Sequence, residues 1–144
     1  MTTLRDFIAV RLDEDEAAAR AASQGKWEVD DPEYPHTIHA NDYEAEVVSG
    51  GRWGGEASVF DRKADPLHII RYDPARVLRE VAAKRAILER HGISQGDGCT
   101  GCGVYLGRDD KWHPNVAAED CEDLQALAAI WPEHPDFDSN WSTI

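Results

Sequence analysis

The sequence predicts an α+β fold in a single domain spanning residues 1–144: an N-terminal helix, a small antiparallel sheet, a long central helix, a cysteine-bearing knuckle and a C-terminal helix. Three observations predict it. Apolar residues recur at helical spacing near both ends and in the centre of the chain, but at extended spacing between residues 26 and 72. Asp73-Pro74 is a sharp helix-start signal between the two patterns. All three cysteines fall between His91 and Cys121, so one short stretch carries the sulfur chemistry of the whole chain.

The first helix occupies residues 1–25. Thr3 can cap it with Asp6 three residues later, Leu4, Phe7, Ile8 and Leu12 form an apolar stripe, and Gly25 is a plausible stop. The acidic run Asp13-Glu14-Asp15-Glu16 points in several directions on a helix, so it reads as a solvated face with Arg20 four residues after Glu16. Residues 26–72 read as short antiparallel strands: Trp27 and Val29, Thr37 to His39, Tyr43 to Val48, Ala57 to Phe60, and Leu67 to Tyr72. Ser49 to Gly55 forms a glycine-rich loop around Arg52 and Trp53, and Arg62 to Pro66 a further turn. His36 and His39 are three apart, so on a regular strand they face opposite sides of the sheet, and His68 could join His39 only in a favourable register; ordinary histidines are expected.

The central helix covers residues 73–92. Asp73 caps it, Pro74 suits the first helical position, and Val77, Leu78, Val81, Ala82 and Leu88 form its buried stripe. Gly92 ends the helix and turns the chain into a knuckle at 93–120, and residues 121–144 supply a last helix and tail in which Leu124, Leu127, Ala128 and Trp131 share one face.

Within the knuckle, Cys99 and Cys102 are separated by two residues, close enough for both thiolates to reach one ion, and Gly98, Gly101 and Gly103 allow the tight turn. Cys121 follows at a spacing found in many zinc knuckles. A zinc ion then needs a fourth ligand. His91 lies on the same helix face as Ile87 and Leu88 and so points inward, which favours it over His113, in a polar loop before Pro114, and over His134, between Pro132 and Pro135. Cys99, Cys102, Cys121 and His91, with His113 as the alternative fourth ligand, are the candidate site. Such a set closes the coordination shell and is structural. A redox Cys-x-x-Cys would sit between a strand and a helix start, which residues 98–107 do not resemble.

The net charge is −13. Residues 1–60 hold 13 acidic and 5 basic side chains (−8), residues 61–98 hold 6 and 8 (+2), and residues 99–144 hold 9 and 2 (−7). This surface repels nucleic acid and anionic membranes, although it could instead imitate a phosphate backbone and occupy a DNA-binding protein. No apolar run approaches the ~20 residues of a membrane span, and the N-terminus lacks a signal-peptide pattern, so a cytoplasmic location is expected.

The run from Leu67 through Asp73-Pro74 to Val81, Ala83-Lys84-Arg85, the Cys-x-x-Cys, Cys121 before a leucine-rich helix, and His134-Pro135-Asp136-Phe137 with Trp141 resemble a family of small uncharacterised proteins of actinobacteria and their phages. Arg11 to Glu16 matches the family's opening as well. The resemblance implies one compact domain and shared cysteines, often with a histidine at the position of His91. It implies no reaction. Glu119 to Asp123 replaces the family's proline-rich approach to the third cysteine.

These features point to a non-enzymatic, zinc-stapled module that binds another macromolecule, most plausibly a protein. No Ser/His/Asp arrangement can be placed, and the glycines lack the lysine of a phosphate loop. Five tryptophans are many for a polar chain, and Trp53, Trp112 and Trp141 are candidates for an interface, with at least two of the three expected to pack as lids over the core. A zinc hydrolase using Glu119, Asp120 or Glu122 as base is the alternative; a nucleobase deaminase is not, because Asn41 stands where its glutamate would follow His39.

Overall fold

The computed structural model describes residues 2–48, 64–94 and 97–142. In chain order it contains α1 (Leu4–Ala21), β1 (Trp27–Val29), β2 (Ile38–Ala40), β3 (Ala45–Val48), α2 (Ala64–Arg71), α3 (Pro74–Arg90), β4 (Val104–Leu106), β5 (Trp112–Pro114) and α4 (Glu122–Ala128), with 3₁₀ turns at Ala118–Asp120 and Ser139–Trp141. Helices and small antiparallel sheets are mixed, and the fold is α+β. Two compact units result: Met1–Glu14 together with Ala82–Ile144, and Asp15–Val81. Among the described residues no helix is long and apolar enough to cross a membrane.

The first unit is built on the apolar stripe of α1. Thr3 accepts a hydrogen bond from the backbone N–H of Asp6 at 3.1 Å, and the Glu119 carboxylate accepts from that of Leu4 at 3.0 Å, so the free N–H groups of the helix start are satisfied by near and distant side chains. Leu4, Phe7, Ile8 and Leu12 are fully buried, as are Leu124 and Ala128 of α4. Phe7 is ringed by aromatic groups from the C-terminal tail: Trp141 at 5.2 Å between centroids, His134 at 5.7 Å, Phe137 at 5.9 Å and Trp131 at 6.4 Å. Such pairs add to the area each ring buries. The Trp141 indole also donates to Glu119 at 3.1 Å, which fixes the lid by its polar edge. Beneath it Arg11, almost wholly buried, reaches the His134 ring and bonds Glu14 at 2.8 Å.

In the second unit, β1, β2 and β3 form an antiparallel sheet in that order, with β2 buried along its whole length. Trp27 pairs with Ala40, Glu28 with His39 and Val29 with Ile38; β2 pairs with β3 across a bulge between Ile38 and His39. The β2–β3 turn carries positive φ at Asn41, Asp42 and Tyr43, and folds the Tyr43 ring onto His39 at 3.6 Å. Asp73 caps α3 by accepting from the N–H of Arg76 at 2.8 Å.

Several expectations are corrected. Leu67 to Tyr72 is helix α2 and its end, not a strand. Asp65-Pro66 places an acid and a proline in the first turn, where a helix has free N–H groups and needs no donor from proline, and the helix then brings the His68 and Tyr72 rings to 4.9 Å, four residues apart. Tyr43 belongs to the turn, so β3 begins only at Ala45. Residues 104–114, expected within the knuckle with His113 in a polar loop, contain the β4–β5 hairpin, with Tyr105 opposite His113 and Leu106 opposite Trp112. Ala82 of the proposed α3 stripe is exposed, whereas Val81 and Leu88 are buried. The acidic run on α1 is drawn to basic neighbours: Asp13 pairs with Arg85, Glu14 with Arg11 and Glu16 with Arg20. The strand expected at Ala57 to Phe60, the Ser49 to Gly55 loop and Trp53 lie outside the described residues.

Removing the Phe7 ring empties the centre of the first unit, so Phe7→Ala is expected to lower the unfolding free energy by about 3–5 kcal/mol in urea titrations. A pH effect follows in the second unit. Burial pushes the Asp30 carboxyl up, but hydrogen bonds from the backbone N–H groups of His36 at 2.9 Å and Thr37 at 3.1 Å outweigh it and hold it below its ordinary value. A carboxylate lowered on folding stabilises the fold above its unfolded pKa and loses that contribution as pH falls through the folded value. The protection of the His36 and Thr37 amides, measured as exchange relative to an unstructured amide at the same pH, should therefore fall only in strongly acidic solution, and Asp30→Asn should remove that fall.

Candidate metal centre

The end of α3 is held in place before any ligand is considered. The last carbonyls of a helix lack partners within it. Arg5 of α1 donates to the carbonyls of Leu88 and His91, and Thr100 donates through its backbone N–H to Gly92 O at 2.9 Å and through its hydroxyl to Arg90 O at 3.2 Å. The helix end, its terminal histidine and the Cys-x-x-Cys turn are thereby locked to one another. On the other side of the turn, Asn115 donates to Cys102 O at 3.0 Å, and the Cys99 N–H bonds Val116 O at 2.9 Å.

This frame gathers His91, Cys99, Cys102 and Cys121, whose donor atoms all lie within 4.8 Å of one another. His91 Nδ1 stands 3.3 Å from Cys99 Sγ, 3.4 Å from Cys121 Sγ and 3.9 Å from Cys102 Sγ. Cys121 Sγ is 3.5 Å from Cys102 Sγ and 3.6 Å from Cys99 Sγ, and all three cysteines are free thiols. The other ring nitrogen of His91 faces Asp123 Oδ2 at 3.4 Å. That contact orients the imidazole with Nδ1 toward the sulfurs, the arrangement by which a carboxylate commonly supports a metal-ligating histidine.

Glycine is required here by space as much as by backbone angle. A Cβ on Gly101 would sit 2.6 Å from His91 Nδ1, so any side chain would push the imidazole off the sulfurs. Gly103 has φ +83°, which glycine adopts without strain. Gly92, Gly98 and Gly101 lie outside that left-handed region, contrary to the expectation that the turn needs unusual angles throughout.

The three thiols do not ionise alike. Burial pushes the Cys99 thiol up, but hydrogen bonding with His91, Cys102 and Cys121 outweighs it and holds Cys99 at about 7, against an ordinary 9.0. Burial, followed by the two neighbouring thiols, pushes Cys102 up to about 12, and Cys121 is raised by burial first as well. One thiolate is tolerated and the next two are resisted. A bound cation reverses that balance, since a coordinated thiol gives up its proton. The four residues can hold a metal ion.

His113, the alternative ligand, lies on β5, where its Nε2 meets Asp109 Oδ1 at 2.8 Å and its ring stacks on Tyr105. His134 is engaged by Arg11 and Phe7. Neither belongs to the cluster. Glu119 spends its carboxylate on Leu4 and Trp141, while Asp120, Glu122 and Asp123 line a hollow of about 190 Å³ beside Cys102 and Val116. The supporting roles of Arg5, Thr100, Asn115 and Asp123 had no signal in sequence spacing, except that Asp123 lies two residues beyond Cys121.

Fold and site together define a small α+β protein with a preassembled site of three thiols and one imidazole. The chain belongs to the family of unknown function DUF6221, which it matches over residues 1–143. The resemblance to an uncharacterised family carried by the 67–81 run, the cysteines and the tail thus holds. No curated protein and no solved structure matches it.

Asp123→Ala leaves all four donors in place but frees the imidazole to turn. It is expected to weaken metal retention by about tenfold, read by competition with a chromophoric chelator.

Proposed function

We propose that the chain is a non-enzymatic interaction module in which one structural zinc ion, held by His91, Cys99, Cys102 and Cys121, fixes a hairpin that binds another protein. The observation that carries this reading is the convergence of four zinc-type donors within 4.8 Å at the base of the β4–β5 hairpin. Three thiolates and an imidazole complete a tetrahedral shell and leave no position for water, which suits a structural ion and not a hydrolytic one. In the closed shell Asp120 and Glu122 have no metal-bound water to activate.

The hairpin supplies the surface. Val104, Tyr105 and Leu106 are each about half exposed, and Trp112 is 69% exposed. Leu106 and Trp112 are directly opposed in the register, so they present one apolar face together with Val104 and Pro114. A cluster of this kind with an aromatic anchor suits protein recognition. Among the described tryptophans, Trp112 is the exposed anchor, whereas Trp141 is a buried lid. The charge of −13 disfavours direct contact with nucleic acid and suits a basic partner.

Protein purified without added metal should contain one zinc per chain by mass spectrometry of the metal. A strong chelator should collapse the helical circular dichroism of the wild type, and His91→Ala should retain zinc poorly. Folded protein without zinc, or with zinc that exchanges while the fold stays intact, would overturn the reading. Separately, Trp112→Ala should change stability by less than about 0.5 kcal/mol, as expected of an exposed site, yet lose partners captured by cross-linking.

A further inference from the structure

The three thiols of the cluster differ in access. Cys99 and Cys121 are fully buried, whereas Cys102 is only partly covered and borders the hollow formed with Val116, Asp120, Glu122 and Asp123. A reagent from solvent therefore meets one sulfur first. Three carboxylates around that opening repel anionic reagents, including glutathione disulfide, and leave it open to small neutral ones. Directly behind Cys102 Sγ, at 3.5 Å, stands Cys121 Sγ, close enough to form a disulfide after a small rotation of the side chains.

Resting on the zinc reading above, we infer that Cys102 is a modification site for hydrogen peroxide, and that its oxidation releases the metal by way of a Cys102–Cys121 disulfide. The Cys102 sulfur attacks one peroxide oxygen; an S–O bond forms, the O–O bond breaks, and the departing hydroxide is protonated to water. The Cys121 sulfur then attacks the Cys102 sulfur; the S–S bond forms, the S–O bond breaks, and a second hydroxide leaves to become water. In sum, two thiolates, one hydrogen peroxide and two protons give one disulfide and two waters, and the two electrons pass from sulfur to peroxide oxygen. The ion keeps only His91 and Cys99, too few donors to hold it. Losing it unpins the end of α3 from the start of α4 and from the hairpin base.

The full-length zinc-loaded protein, its zinc content first measured, is treated with hydrogen peroxide while released zinc is followed with a chromophoric chelator and thiols are mapped by peptide mass spectrometry. One zinc released per Cys102–Cys121 disulfide, with recovery on adding a reductant and zinc, supports the inference. Zinc retained at peroxide concentrations that oxidise a free thiol, or a disulfide joining Cys99 to Cys102, overturns it. Absence of zinc at the outset is the separate failure of the metal reading, and the inference falls with it. Because a Cys102 variant could fail to fold, wild-type protein is also alkylated with N-ethylmaleimide while loaded. Cys102 should react at least about tenfold faster than Cys99 or Cys121, as its exposure dictates; equal rates overturn the inference. Cys102→His keeps four donors and should lose the zinc release.

Discussion

The gathering of three sulfurs and one imidazole into a space less than 4.8 Å across is the constraint on which the first unit is arranged. These groups arrive from the end of α3, from the turn after it and from the start of α4. Ionising three buried thiols next to one another is unfavourable unless the charge of the thiolates is met, and hydrogen bonding with His91 and the neighbouring thiols meets it for Cys99 alone. A cation resolves the conflict for all three at once. The surrounding hydrogen bonds are arranged to present the donors, with Arg5 and Thr100 capping the helix end and Asn115 holding the Cys102 carbonyl.

Core and site meet at Glu119. Its carboxylate satisfies the start of α1 and the indole of Trp141, and its own carbonyl accepts from Gln125 at 2.9 Å. It stands two residues before Cys121. The apolar packing of Phe7 against the aromatic tail is therefore tied through one acidic residue to the position of a thiol.

The parts of the fold legible in the sequence were those governed by local rules. Thr3 with Asp6, the Leu4, Phe7, Ile8 and Leu12 stripe, and Asp73-Pro74 depend on neighbours a few residues away, and the elements they mark are present. The metal-type cluster was legible for a related reason: a two-residue cysteine spacing and a histidine on an inward helix face are local patterns as well. Leu67 to Tyr72 misled because its isoleucines and tyrosine favour strands, while the deciding signal, Asp65-Pro66, was read as a turn. β-propensity is easily overridden by context, and here an acid and a proline in the first turn favour the helix. The β4–β5 hairpin escaped because its apolar residues are not matched to any buried face. Alternation reveals a strand only when one side is covered.

That lack of cover distinguishes the hairpin from the rest of the first unit. Elsewhere in the unit four rings of the C-terminal tail surround the buried Phe7. The hairpin instead leaves Leu106 and Trp112 in the open, although it grows directly from the cysteine cluster: Gly103 leaves the knuckle at a left-handed angle and Asn115 returns to bond the Cys102 carbonyl. Two strands of three residues have little stability of their own in water. Their register must be supplied from the base, where the cysteines are. A hairpin that starts from this cluster, and whose opposed Leu106 and Trp112 no described element covers, keeps that pair side by side only while its base, with Cys102, stays where the structure puts it.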